Sequence, residues 1–295
     1  MSTLNIGLDS ATSEQRVVRC EDGTELSYWM TGSAGPWVIC VNAHGQDLLI
    51  FRGLVRELSN RHRVIAWKPR GTYEDRAAPH TLWDQVADLT RILRQENITE
   101  CLLITWCAGA KVAIELARKE PAVRSMVLTN GTFTRIPGLE RFETVFERTL
   151  ADLCRTVAGK PALAGMMMSA MRSLLDGAAR TSSTLSDSTA GRQSEALNAL
   201  IAEPFQTLQT TRRYAEQVVD YLAHDVSPSL RGLQIPVLVL SGEHDRVSSP
   251  EMARAVAEML PKGSVAQIAS GSHYCLYEEP EEAADRIERF LASAT

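Results

Sequence analysis

Two periodicities alternate along the chain. Short apolar runs at Trp37–Val41, Arg63–Trp67, Cys101–Trp106 and Ser125–Thr129 are separated by segments whose apolar residues return every three or four positions. Continuous apolar runs of this length mark strands buried on both faces. The spacing between them predicts helices over Leu48–Leu58, Leu82–Gln95 and Lys111–Lys119, the second with Val86, Leu89, Ile92 and Leu93 on one side. Ahead of these, Arg16–Cys20 and Glu25–Met30 flank the turn Glu21-Asp22-Gly23-Thr24 and predict a hairpin. The alternation stops near Asn130 and resumes with a strand at Pro236–Ser241, a helix at Pro250–Leu260, a strand at Ser264–Ala269 and a helix at Glu281–Ser293. Such alternation predicts an α/β fold with a mostly parallel sheet covered on both faces.

The stretch between the two blocks reads differently. Leu139, Phe142, Phe146, Leu150, Leu153 and Val157 recur at helical intervals within Gly138–Ala158. Pro161–Leu175 carries Met166, Met167, Met168 and Met171, and Pro204–Ala223 predicts a further helix through Phe205, Leu208, Val218 and Leu222. The Ser/Thr-rich stretch Thr181–Gln193 reads as a loop. The expected organisation is a core domain formed by residues 1–134 and 227–295, with residues 135–226 inserted as a helical cap.

Composition narrows the function classes. With 31 Lys plus Arg against 36 Asp plus Glu, the formal net charge is −5, without the basic excess of a dedicated nucleic-acid binder. No apolar run approaches the roughly 18 residues of a membrane span. Met1–Gln15 is polar, with no basic head leading into an apolar stretch, so the expectation is a cytoplasmic protein without a secretory signal. The six cysteines form no C-x-x-C pair, and there is no dinucleotide fingerprint, P-loop, H-E-x-x-H or EF-hand pattern. Metal and nicotinamide chemistry are therefore not expected, and no cofactor is called for.

Chemistry concentrates where a strand runs into a helix, at Ile104-Thr105-Trp106-Cys107-Ala108-Gly109-Ala110. This junction resembles the nucleophile elbow of the α/β-hydrolase superfamily, G-x-S-x-G, with Cys107 at the serine position, Gly109 at the final glycine and Thr105 in place of the first. Three further segments carry the resemblance. His44-Gly45-Gln46 is similar to the oxyanion-hole loop, Ser241-Gly242-Glu243-His244-Asp245 to the acid-bearing turn, and Gly271-Ser272-His273 to the histidine turn. Arg70-Gly71 also falls where family members carry such a pair. The resemblance covers about residues 16–134 and 227–295, with the chain order nucleophile, acid, base that the family requires.

The resemblance implies an α/β-hydrolase fold with Cys107 as nucleophile, His273 as general base and Asp245 as its orienting acid. The N–H groups of Gln46 and Ala108 would form the oxyanion hole. A helix N-terminus and a neighbouring imidazolium are the environment that favours a thiolate. His44 is expected to brace the oxyanion loop, His244 to point away from the site, and Cys275 to be packing. Trp106 either walls the acyl site or is simply core. Met167 and Met171 are carried as candidate substrate-binding residues of the cap, against the plainer reading that the methionines pack a helix. Arg141, Arg148 and Arg155 recur every seven residues and are expected to form a solvated face paired with Glu147 and Asp152, the alternative being a surface for an acidic carrier.

Cysteine in place of serine suggests acyl transfer. Attack by a thiolate on a thioester exchanges one thioester for another, and the acyl-enzyme stays reactive toward amines, alcohols and thiols. The expected partners are an acyl thioester of CoA or of an acyl carrier protein and a small-molecule acceptor. A thioesterase or ester hydrolase with the same triad is the alternative enzyme, and a non-catalytic ligand-binding homologue the alternative outside enzymology.

Overall fold

The computed structural model describes residues 13–70, 80–182 and 188–294. Gly71 and the first residues of the polar N-terminal stretch lie outside them, as do 183–187 of the Ser/Thr-rich stretch. Eight strands form one sheet: β1 Ser13–Arg19, β2 Glu25–Thr31, β3 Trp37–Val41, β4 Arg63–Trp67, β5 Cys101–Trp106, β6 Val123–Thr129, β7 Val237–Gly242 and β8 Gly263–Ile268. Their order is β1-β2-β4-β3-β5-β6-β7-β8. The first two are the expected hairpin, with Arg19 opposite Glu25, and β2 pairs antiparallel with β4; every later pairing is parallel. All residues of β5 and β7 are buried, as continuous apolar runs require, whereas the edge strand β8 exposes half its length.

Helices cover both faces. In chain order they are α1 Arg52–Leu58, α2 Leu82–Gln95, α3 Gly109–Lys119, α4 Val145–Gly159, α5 Ala164–Ser182, α6 Ser188–Ala202, α7 Leu208–Ala223, α8 Ser227–Gly232, α9 Pro250–Met259, α10 Cys275–Glu278 and α11 Pro280–Ala294. Among these α4–α7 are the inserted helices, and part of them packs into a separate small core of Cys154, Val157, Ala164, Met167, Phe205 and Ala215. The strands and the flanking helices share the main core.

Two expectations need correction here. The Ser/Thr-rich stretch is not simply a loop: α5 runs to Ser182 and α6 begins at Ser188. Leu197 and Leu200 pack against the main core, and α6 extends from them back through the polar residues. Gly138–Ala158 is likewise not one helix. A 3-10 turn at Glu140–Phe142 precedes α4, which starts at a capping box in which Thr144 and Glu147 satisfy each other's backbone N–H groups. Glu147 is spent in that box and buried, so it does not pair with the arginine row. Within the row, Arg155 pairs with Asp152 at 2.8 Å, Arg148 donates to the Glu143 carbonyl, and Arg141 lies over the Phe142 ring.

Candidate active site

In an open α/β sheet the carboxyl ends of the strands face the ligand crevice, and here they bring together residues far apart in the chain. Cys107 follows β5 directly and holds φ at +53°, a left-handed conformation that costs a non-glycine residue roughly 1–3 kcal/mol. The surroundings over-determine it. The Cys107 N–H donates to the Thr129 carbonyl at 3.1 Å, and its carbonyl accepts from Ala110. Gly109 lets α3 press onto β3: a Cβ there would lie 2.3 Å from the Val41 carbonyl oxygen. That approach explains why the last glycine of the elbow is retained, whereas Thr105 fits as a buried strand residue. Ala108 caps α3, so its N–H, next to the nucleophile position, has no intrahelical partner.

His273 and Asp245 come from the turns after β8 and β7. His273 Nδ1 lies 2.9 Å from Asp245 Oδ2, both residues being buried. Cys107 and His273 line the same cavity. Burial alone would pull His273 down, but the Asp245 carboxylate and then Cys107 outweigh it and push the imidazole up to about 10. Burial likewise opposes ionisation of Asp245, yet His273, followed by Asn130 and Ser248, holds its carboxyl below the usual range.

Asp245 is immobilised by residues that sequence inspection did not single out. Its Oδ1 accepts the N–H groups of Val247 and Ser248, and its Oδ2 accepts Asn130 Nδ2 at 2.6 Å and Ser248 Oγ at 3.0 Å. Asn130 follows β6 with φ at +48°, and its Oδ1 accepts the Cys275 thiol at 2.9 Å. The buried Cys275 thus supports the acid turn in addition to filling space.

The loop after β3 is built around Asn42. Its side-chain amide donates to the carbonyls of Gln46 and Asp47 at 2.8 and 3.0 Å, while its Oδ1 accepts the Ala43 N–H. The His44 ring on the same loop makes no hydrogen bond with a described residue and packs instead on the rings of Tyr214 and Tyr221. Gly45, at φ +71°, lies against α7 and the turn before it: a Cβ there would be 3.2 Å from Tyr214 and 3.3 Å from Pro204.

Cys107, His273, Gln46 and Ala108 open into one cavity of about 120 Å³ between the sheet and the inserted helices. Trp106 is on its wall, and its indole N–H donates to the His273 carbonyl at 2.9 Å. Of the two methionines singled out, Met171 lines the cavity. Met167 does not; both methionines lie on one face of α5 and enter the same small core, and Met167 is fully buried there. The wall is apolar along Phe146, Leu150, Phe205 and Leu222. Among the polar side chains that interrupt it are Lys111 and Glu147. Lys111, one turn into α3, donates to the carbonyls of Thr134, Tyr221 and His224, and burial pulls its ammonium down to about 8. Glu147 accepts Thr134 and Thr144, and burial pushes it up to about 7.

Elbow, acid turn, histidine turn and sheet order together define an α/β hydrolase. The chain belongs to the alpha/beta hydrolase fold family, which it matches over residues 36–280. It is 29% identical over 282 residues to a pimeloyl-[acyl-carrier protein] methyl ester esterase of Methylococcus capsulatus, covering 90% of this chain and 98% of that protein. It is also 26% identical over 270 residues to the polyketide synthase ThaQ of Burkholderia thailandensis; the match covers 89% of this chain but only 12% of that much longer protein. Among solved structures, the enol-lactonase of Burkholderia xenovorans superimposes with a TM-score of 0.71 at 22% identity, covering 94% of this chain and 100% of the other. No helix among the described residues is long and apolar enough to cross a membrane.

Proposed function

We propose that the protein is an acyltransferase that takes an acyl group from a CoA or carrier-protein thioester onto Cys107 and passes it to a small alcohol, amine or thiol. The observation that carries this reading is the thiol on the elbow, beside a His273–Asp245 pair, at the bottom of a largely apolar cavity under the inserted helices. The names of the relatives add support, one being an esterase of a carrier-bound acid and another a polyketide synthase.

The chemistry closes on the residues present. The Cys107 thiolate attacks the thioester carbonyl, and the N–H groups of Gln46 and Ala108 meet the developing oxyanion. As the C–S bond of the donor breaks, His273 gives its proton to the departing thiolate, which leaves as a thiol. The now neutral imidazole removes the proton of the acceptor as it attacks the acyl-S-Cys107 carbonyl. Cys107 departs as thiolate and His273 is again protonated, its charge stabilised by Asp245. Residues 135–226 act as the cap that keeps water from the acyl-enzyme.

A specific observation favours hydrolysis as the second reading: two of the similar proteins are methyl ester esterases. The partition experiment separates the two. Wild-type protein acylated with a short-chain thioester is mixed with an amine, an alcohol or buffer alone, and loss of the acyl mass is followed. Discharge accelerated by the amine or alcohol, with the acyl product recovered, supports transfer; discharge at one rate set by water moves the assignment to thioesterase.

A further inference from the structure

His44 lines the same cavity as Cys107 and is only 4% exposed, yet none of the described residues hydrogen-bonds its ring. Its Nδ1 is fully enclosed and unpaired, so a ligand in the cavity meets the ring through the other nitrogen, Nε2. Tyr214 and Tyr221, two turns apart on α7, pack their rings on it at centroid distances of 5.1 and 4.8 Å. Both tyrosines also line the cavity, and neither phenol oxygen hydrogen-bonds a described residue. Leaving a buried polar group unpaired costs about 1–3 kcal/mol, and folds that keep one commonly do so where something else supplies the partner.

The chemistry of that partner follows from the charge state of the wall. Burial pulls His44 down to about 3, so the imidazole is neutral and presents one donor and one acceptor nitrogen. The charged groups of the cavity are already engaged, Lys111 by three carbonyls, Glu147 by Thr134 and Thr144, and the His273 imidazolium by Asp245. A carboxylate or ammonium on the ligand would therefore lose its water without a free counter-charge, whereas a hydroxyl or keto oxygen would meet a matching neutral group. With the Gln46 N–H in the oxyanion role proposed above, His44, two residues earlier on the same loop and on the cavity wall, falls on the acyl side.

We propose that His44, together with the Tyr214 hydroxyl, forms a subsite for an uncharged oxygen of the acyl chain, so that the protein selects hydroxyacyl or ketoacyl thioesters over saturated ones of equal length. The inference rests on the acyl-enzyme reading for the identity of the ligand. It adds two specificity-determining residues to that reading.

Binding without reaction tests it. The Cys107→Ala protein is titrated calorimetrically with hexanoyl, 3-hydroxyhexanoyl and 3-oxohexanoyl thioesters of N-acetylcysteamine. The expected result is about tenfold tighter binding of the oxygenated chains, the scale of one buried hydrogen bond. His44→Leu in that background removes the preference, Tyr214→Phe reduces it without disturbing the packing, and His44→Gln, still a neutral donor and acceptor, keeps part of it. Equal affinities for the three chains, no measurable binding of any, or a preference unchanged in both His44→Leu and Tyr214→Phe overturns the subsite. Adduct formation by the wild type is scored separately: a binding preference with no adduct on Cys107 overturns the acyl-enzyme and leaves the subsite standing.

Discussion

The indole N–H of Trp106 donates to the backbone carbonyl of His273 at 2.9 Å, so the residue before the nucleophile position holds the turn that carries the imidazole. The two rings also pack at a tilt, with centroids 5.5 Å apart. Trp106 is thus both cavity wall and tether. Trp106→Phe keeps an aromatic wall but leaves a buried carbonyl unpaired, at about 1–3 kcal/mol. A Tm lowered by a few degrees is expected, along with acylation of Cys107 slowed by about tenfold or more as the imidazole loses its alignment. Calorimetry and single-turnover acylation check the two parts, and an unchanged acylation rate would limit Trp106 to the wall.

The ionisation of His273 is set by Asp245. The carboxylate raises the imidazole to about 10, so NMR titration of its ring protons should find it protonated throughout the neutral range. Asp245→Asn removes the opposite charge and should lower that midpoint by roughly 1–3 units. The sign for stability follows. A histidine raised from its unfolded value stabilises the folded state most below that value, 6.5, and the contribution disappears as pH rises toward about 10. The Tm difference between wild type and His273→Ala should therefore shrink steadily between pH 6.5 and 10.

At Gly109 the expected effect is steric. A methyl group there would press on the Val41 and Asn42 carbonyls, which are backbone and cannot rotate away. Gly109→Ala should destabilise by roughly 1–3 kcal/mol and shift the elbow. A denaturant titration with an unaltered midpoint would contradict the close packing of α3 on β3.

Lys111 joins the first turns of α3 to both ends of the inserted helices, through Thr134 on one side and Tyr221 and His224 on the other. Lys111→Met fills the space but leaves those carbonyls without their donor. Limited proteolysis should cut between residues 135 and 226 several-fold faster in the variant, while the sheet remains protected.

Much of this architecture is legible in the chain, and what is not has a common cause. The apolar runs of β3, β5 and β7 and the order Cys107, Asp245, His273 are local patterns that survive folding unchanged. Asn130 and Lys111 carry no such mark, because their roles exist only once partners about 110 residues away arrive: Asn130 meets Asp245, and Lys111 meets Tyr221. Tyr214 and Asn42 belong to the same class. Met167 and Met171 share one helix face and one small core, so their spacing could not show that only Met171 also reaches the cavity. Glu147 is spaced for a surface ion pair with the arginine row, but the Thr-x-x-Glu pattern at Thr144–Glu147 forms a capping box that buries it.

The central claim is that Cys107 carries the acyl group, and intact-protein mass spectrometry reads this directly. Wild type, Cys107→Ala and His273→Ala are each incubated with a panel of saturated, hydroxy and keto acyl thioesters, and any adduct is mapped by peptide digestion. The account predicts a one-acyl mass increase on the wild type that maps to Cys107, none on Cys107→Ala, and formation slowed by about 10²–10⁴-fold in His273→Ala. An adduct that persists in Cys107→Ala, or a wild type that stays unmodified across the panel, would contradict it.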